Sequence, residues 1–156
     1  MKTENEMNLS FLSYSANESF ARAATAAFIA QLDPTIDELA DIKMAVSEAV
    51  TNCIVHAYRD GIGQVYIQIK IYQAGRVVIK VKDKGCGIPN VEQAMEPLYT
   101  TVGGERAGLG FAVMQSFMDK IKVTSKIGRG TIVTLEKNII RRPLQNQAAK
   151  QAEQDG

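Results

Sequence analysis

Two stretches of the chain repeat one pattern: a run of alternating apolar and polar residues, a short glycine-bearing break, and a second alternating run. Val65-Tyr-Ile-Gln-Ile-Lys-Ile71 and Val77-Val-Ile-Lys-Val81 flank the break Gln73-Ala-Gly-Arg76, and Lys120–Lys126 and Thr131–Lys137 flank Ile127-Gly-Arg-Gly130. Alternation with period two buries one face of a strand and wets the other. Short connections of this kind close antiparallel hairpins. Two hairpins with one apolar face each need a cover, and the residues before them are patterned to supply it.

Thr35-Ile-Asp-Glu38 has the form of a capping box, with Thr35 as N-cap and Glu38 three residues later. It predicts a helix to about Tyr58, with apolar positions Ile36, Leu39, Ala40, Met44, Val46, Ala49, Val50, Cys53, Ile54 and Ala57, stopped by Arg59-Asp-Gly-Ile-Gly63. A shorter helix is predicted to open at Ser15-Ala-Asn-Glu-Ser19 and end at Asp33-Pro34. Its apolar stripe is read as Phe20, Ala23, Ala24, Ala27, Phe28 and Ala30. Residues 7–14 read as an edge strand, residues 90–107 as irregular, and Gly108 to about Met118 as a further helix. Helices segregated from antiparallel strands imply an α+β two-layer sandwich, with a mixed, mostly antiparallel sheet and helices on one face. A single domain over residues 1–140 and a polar, disordered tail over 141–156 complete the expectation.

Composition narrows the function classes. Formal net charge is +1 with no basic stripe, so direct nucleic-acid binding is not expected. No apolar run approaches the roughly 18 residues of a membrane span, and the N-terminal MKTENEMNLS has no apolar signal region. A cytoplasmic protein without membrane attachment is expected. Cys53 and Cys86 form no CxxC pair and are read as free thiols. A single histidine excludes a His-rich zinc site.

Four short patterns carry chemistry. Glu48 and Asn52 lie one turn apart on one face of the long helix, and His56 continues the line. A carboxylate and a carboxamide so placed suit a site that needs a base and an oxygen ligand for Mg²⁺, which keeps waters and substrate oxygens as its other ligands; a solvated polar face is the ordinary alternative. Asp83-Lys-Gly-Cys-Gly87 ends a strand with an acid and two glycines, Gly85 and Gly87. The acid can accept from an exocyclic amine such as that of adenine, or the segment is a plain turn. Gly104-Glu-Arg-Ala-Gly-Leu-Gly110 precedes a helix, so Gly108 and Gly110 place backbone N–H groups where phosphate binds, with Arg106 close by. Gly128-Arg-Gly-Thr131 opens the last strand, where Thr131 faces a ligand or is simply a strand residue. No Walker A sequence and no third glycine of a GxGxxG are present, which disfavours P-loop and dinucleotide-binding folds.

Taken in order, Glu48–Asn52, Asp83–Gly87, Gly108–Gly110 and Gly128–Thr131 resemble the N, G1, G2 and G3 boxes of the GHKL (Bergerat) ATPase and kinase superfamily, over nearly all of residues 7–138. The stretches FIAQLDPTIDELADIKMAVSEAVTNCIVHAY, VKDKGCGIP, PLYTT and ERAGLGFAVMQSFMD are similar to the sporulation anti-sigma-F factors of endospore-forming bacilli. The resemblance implies a protein serine kinase that binds Mg²⁺ with ATP or ADP. It would bind a sigma factor of the sigma-F type and phosphorylate a serine of an anti-anti-sigma protein. It assigns Glu48 as general base, Asn52 as Mg²⁺ ligand and Asp83 as adenine reader. Arg106 would read the γ-phosphate, Thr131 would support the adenine pocket, and His56, Gly85, Gly87, Thr101, Gly108 and Gly110 would adjoin the nucleotide. It also assigns Arg22, in ESFAR, to partner contact. The family is dimeric, and the exposed edge expected at residues 7–14 suits a homodimer. A lid over residues 97–107 is expected to differ between the ATP and ADP states through Arg106. Cys53 and Ala57 depart from the pattern, which usually has alanine and glycine there. A general-stress anti-sigma kinase, a sigma-binding module without catalysis and an ATPase clamp are the rivals; the last would need a transducer domain for which this chain has no room.

Overall fold

The computed structural model describes residues 2–96 and 110–140. Five strands, β1 (Thr3–Leu12), β2 (Gln64–Tyr72), β3 (Arg76–Asp83), β4 (Lys120–Lys126) and β5 (Gly130–Asn138), form one sheet in the order β1-β2-β3-β5-β4. All four described pairings are antiparallel. The two hairpins expected from the sequence are β2–β3 and β4–β5, and β1 takes an edge, running over Thr3–Leu12 where residues 7–14 were expected. β3 and β5 are neighbours that are not consecutive in sequence, so the chain between them leaves the sheet and returns beside β3. That return aligns Asp83 with Thr131 across adjacent strands.

Alternation does what the pattern demands. Val65, Ile67, Ile69 and Ile71 of β2, Val77, Ile79 and Val81 of β3, and Val133 and Leu135 of β5 are buried on one face. The helices cover that face: α1 (Asn17–Ile29), α2 (Ile36–Asn52), α3 (Val91–Met95) and α4 (Phe111–Phe117). The capping box is present in full, with Glu38 N–H donating to Thr35 Oγ1 (3.1 Å) and Thr35 N–H donating to Glu38 Oε1 (2.9 Å). The second oxygen of Glu38 accepts from Ile140 N–H (3.1 Å), so the cap also pins the chain just after β5. Lys137, on the covered face of β5, donates to Phe117 O (2.6 Å) at the end of α4 and to Asp41 Oδ2 (3.2 Å) of α2.

The α1 phase differs from the sequence reading, and the α2 phase agrees with it at Val46, Ala49, Val50 and, just past its end, Cys53. In α1 the buried residues are Ala21, Thr25 and Ile29, followed by Leu32 in a short 3-10 turn, while Phe20, Ala23, Ala27 and Ala30 are exposed. Alanine on every side of α1 leaves the apolar phase undetermined by composition alone, and packing on α2 selects it. Phe20 instead meets Phe11 of β1 edge to face, with ring centroids 6.4 Å apart. In α2 the core face is Ile42, Ala45, Val46, Ala49 and Val50, with Ile36 and Met44 exposed. Ile36 is the first residue of the helix, directly after the Thr35 cap. The segment read as irregular contains α3, capped by Asn90, whose side chain accepts from Gln93 N–H (3.0 Å). The expected helix start at Gly108 lies outside the described residues, and the described helix begins at Phe111 with Gly110 as its N-cap.

Candidate functional site

α2 does not end as an α-helix. Cys53–Ala57 form a π-turn closed by Tyr58 N–H to Cys53 O (3.2 Å). Such turns insert an extra residue and are frequent at functional sites. This one aims Asn52, Cys53 and His56 at the end of β3. The loop after Asp83 presses directly on it: Cys86 N–H donates to Ala57 O (3.1 Å), and a Cβ on Gly85 would lie 2.4 Å from that same oxygen. Only glycine permits this approach. Tyr58 clamps the seam, its hydroxyl donating to Gln64 O (2.7 Å) and accepting from Lys84 N–H (2.6 Å).

Asp83 lies at the centre of this seam and is only 5% exposed. Its Oδ1 accepts two backbone N–H groups, from Gly85 (3.0 Å) and from Thr131 (3.2 Å) across the sheet. Its Oδ2 accepts the Cys53 thiol at 3.5 Å. Burial pushes the Asp83 carboxyl above the usual carboxylate range, while the Gly85 N–H, the Cys53 thiol and the Thr131 N–H act against that rise. Burial, and then the Asp83 charge, push the Cys53 thiol well up, so it stays protonated and remains a donor.

The other wall comes from β4 and β5. Thr131 Oγ1 and Ser125 Oγ share a hydrogen bond of 2.8 Å. Ser125 also donates to Gly130 O (3.1 Å) and accepts from Ile88 N–H (2.8 Å). With the single Ser125 proton on Gly130 O, the Thr131 hydroxyl donates to Ser125 and keeps its lone pairs for a ligand. Gly87 packs against the β4–β5 connection, and Gly128 N–H donates to Cys86 O (2.8 Å), which ties the two glycine-bearing loops together.

These parts enclose a cavity of about 80 Å³ lined by Asn52, His56, Asp83, Gly87 and Thr131, with Ile88, Phe111 and Val133 as apolar walls. A flat aromatic base edge-on to one carboxylate suits such a slot. Whole-ligand pockets run from roughly 300 Å³, so the described walls have room for one flat ring system and not for a whole drug-sized ligand. A wider trough of about 380 Å³ lies on the outer sheet face over Tyr66, Lys80 and Lys82, and it holds none of the candidate residues. His56 is half-buried; burial, and then the charge of Arg59, hold its imidazole below the ordinary value, so it is neutral near pH 7.

Glu48 is one turn before Asn52 and does not line the slot. Its carboxylate lies against Gly110, where a Cβ would fall 2.3 Å from Oε2. Gly110 has φ of 71°, a left-handed conformation that favours glycine. The next residue, Phe111, lines the slot, so Glu48 stands at its α4 end. Asn52 supplies one amide oxygen, and among the described residues no cluster of three acids, histidines or cysteines could hold a metal alone. That donor set fits Mg²⁺ carried in with phosphate oxygens and water, and does not fit a protein cage. Arg22 is 43% exposed on α1, 3.8 Å from Glu18, which also accepts from the Ser47 hydroxyl. Thr101, Arg106 and Gly108, and the expected lid over 97–107, lie outside the described residues.

Sequence reasoning missed Ser125, Tyr58 and Cys53 as parts of the site. Ser125 was within reach, because the β4–β5 hairpin register places it opposite Thr131. Tyr58 and Cys53 carried no such signal, since the π-turn that presents them has no pattern in composition.

Comparison with known proteins places these features in a family. Residues 14–137 match the family described as histidine kinase-like ATPase domain. The anti-sigma F factor of Caldanaerobacter subterraneus subsp. tengcongensis is 57% identical over 140 residues, covering 89% of this chain and 97% of that protein. The anti-sigma F factor of Priestia megaterium is 50% identical over 138 residues, covering 87% of this chain and 94% of its own. Among solved structures, the RsbU and RsbW domains of a Mycobacterium tuberculosis protein superpose with a TM-score of 0.65 at 20% identity, covering 89% of this chain and 33% of that one. That likeness is one of fold.

Proposed function

The chain belongs to the anti-sigma F factor family of histidine kinase-like ATPase domains, and from that premise we propose that it binds Mg-ATP, sequesters a sigma factor of the sigma-F type and phosphorylates a serine of an anti-anti-sigma protein. The observation that carries the reading is the state of Asp83: a buried carboxylate lining an apolar-walled slot, with Oδ1 held by two backbone N–H groups and Oδ2 met among the described residues by the Cys53 thiol. Burying a charge so is costly, and a purely structural turn has no need of it. A ligand amine meeting Oδ2 gives the charge a use.

The roles then follow along the slot. Asp83 accepts the exocyclic amine of adenine, Ile88 and Val133 flank the ring, and the Thr131 oxygen accepts at its edge. Asn52 offers its amide oxygen toward the phosphates. Mg²⁺ when bound there would offset phosphate charge and orient the transferring group. Glu48, at the α4 end, accepts the proton of the attacking serine hydroxyl, a role worth typically about 10²–10⁴ in rate. Gly108 and Arg106 are proposed to meet the terminal phosphates, and Arg22 to contact a partner from the exposed side of α1. A homodimer through the β1 edge is part of the same proposal.

The test is capture of a cognate sigma factor by the purified protein with Mg-ATP, with ADP and without nucleotide. Capture that Mg-ATP strengthens supports the reading. Capture indifferent to nucleotide, together with no measurable ATP binding, overturns it.

A further inference from the structure

The Asp83 carboxylate has unequal oxygens. Oδ1 is committed to the backbone by two N–H donors, at 3.0 and 3.2 Å. Oδ2 meets one protein donor among the described residues, the Cys53 thiol at 3.5 Å. Cys53 is 3% exposed, follows Asn52 directly, and lines the same slot. A carboxylate oxygen accepts through two lone pairs, so one thiol leaves one pair for a ligand. The thiol is also a weak donor, which leaves Oδ2 electron-rich. Turning the carboxylate about the Cβ–Cγ bond swings both oxygens together, so the thiol on Oδ2 adds a third restraint to a rotation that the two N–H donors on Oδ1 already oppose.

We propose that Cys53 is a positioning residue for base recognition: its S–H holds Asp83 Oδ2 in the orientation that accepts an exocyclic amine, and so sets how strongly the site prefers adenine over a base with a carbonyl at that position. The inference rests on Asp83 reading the base. It assigns to the sulfur a role that packing alone would not require, because alanine would also fit the helix at that point.

The experiment measures dissociation constants for ATP and for inosine triphosphate, in which a carbonyl replaces the exocyclic amine. The full chain is used as wild type, Cys53→Ala, Cys53→Ser and Asp83→Ala, each checked for folding by circular dichroism. The ATP preference is expected to fall roughly three- to tenfold in Cys53→Ala, the scale of one net hydrogen bond. It is expected to recover to within about twofold of wild type in Cys53→Ser, whose hydroxyl restores a donor. Equal weakening of both nucleotides in Cys53→Ala, with the ratio unchanged, would leave Cys53 a packing residue and overturn the proposal. If Cys53→Ala does not fold, a Cys53→Ser ratio that departs from wild type by tenfold or more contradicts the proposal, and a retained ratio upholds it. Asp83→Ala separates the two levels. A wild-type ATP preference surviving in that variant sinks the base reading itself. Its loss there, with no change in Cys53→Ala, sinks only the inference about sulfur.

Discussion

The two ends of the site are built by different means. At the end proposed to take the base, the position of Asp83 follows from strand register, two backbone hydrogen bonds and a loop pressed onto the π-turn that follows α2. At the α4 end, Glu48 is placed by the phase of its own helix and by contact with Gly110. The first end is held by backbone and varies little with side-chain motion. The second depends on one side chain meeting one glycine. Binding needs a fixed group and proton transfer needs a group that can move with its substrate, so the division matches the proposed roles of the two acids.

The sharpest way to break this comparison is Asp83→Asn. The amide still offers an oxygen to the Gly85 and Thr131 N–H groups but turns an NH₂ toward the slot, where it would face another donor. ATP affinity is expected to fall by roughly 10²-fold or more, read by titration calorimetry. Fold stability is expected to move the other way. The folded carboxyl has a raised pKa, so whatever stability Asp83 contributes is present below its unfolded pKa of about 3.9 and is lost as pH rises through the folded value. At neutral pH the ionised group therefore opposes folding. Ligand-free Asp83→Asn is expected to gain stability relative to wild type as pH rises from about 3.9 to 7. Chemical denaturation across pH measures it.

Gly85→Ala attacks the backbone that holds the base end. Its methyl would meet the Ala57 carbonyl at 2.4 Å, so the loop must lift from the π-turn. A loss of about 1–3 kcal/mol in stability, on the scale of overpacking, should be accompanied by weaker ATP binding. Unchanged binding in a destabilised variant would show that the loop contact serves the fold alone. Gly110→Ala attacks the other end. The left-handed backbone costs roughly 1–2 kcal/mol for alanine, and the methyl displaces the Glu48 carboxylate. Phosphoryl transfer is expected to fall more than ATP affinity does, the reverse of the Gly85 result.

The smallest expected effect concerns His56. Its folded pKa is lowered, so the linked stability is fully present above the unfolded value near 6.5 and is lost as pH falls through the folded value, because the unfolded state protonates first. His56→Gln should flatten the stability profile just below about pH 6.5 without altering it well above that value. A profile that keeps its slope in the variant places the titrating group elsewhere.

Much of the layout was legible because it rests on period and punctuation. Both hairpins, the capping box at Thr35 and the two-layer arrangement follow from alternation, glycine breaks and one Thr–Glu pair. The approach of Asp83 to Thr131 was legible as two separate boxes, and the register of β3 with β5 makes them one site. What could not be read was phase and detail. Alanine surrounds α1, so nothing in its composition selects Ala21, Thr25 and Ile29 over Phe20 and Ala23 for burial. Thr25 is buried with its hydroxyl lacking a hydrogen-bond partner among the described residues, which a polar-outside rule would never choose. The π-turn at Cys53–Ala57 comes from the seam with the Asp83 loop, a tertiary contact, and with it came the places of Cys53, His56 and Tyr58.

The central claim is that the chain is a kinase with Glu48 as its base, and transfer of radiolabel from the γ-phosphate of Mg-ATP to a serine of a cognate anti-anti-sigma protein tests it most directly. Wild type is expected to label the serine, and Glu48→Gln is expected to label it about 10²–10⁴ times more slowly while binding ATP within a few-fold of wild type. Labelling by Glu48→Gln at the wild-type rate, or none by a wild-type protein that binds ATP and its partner, would contradict the account.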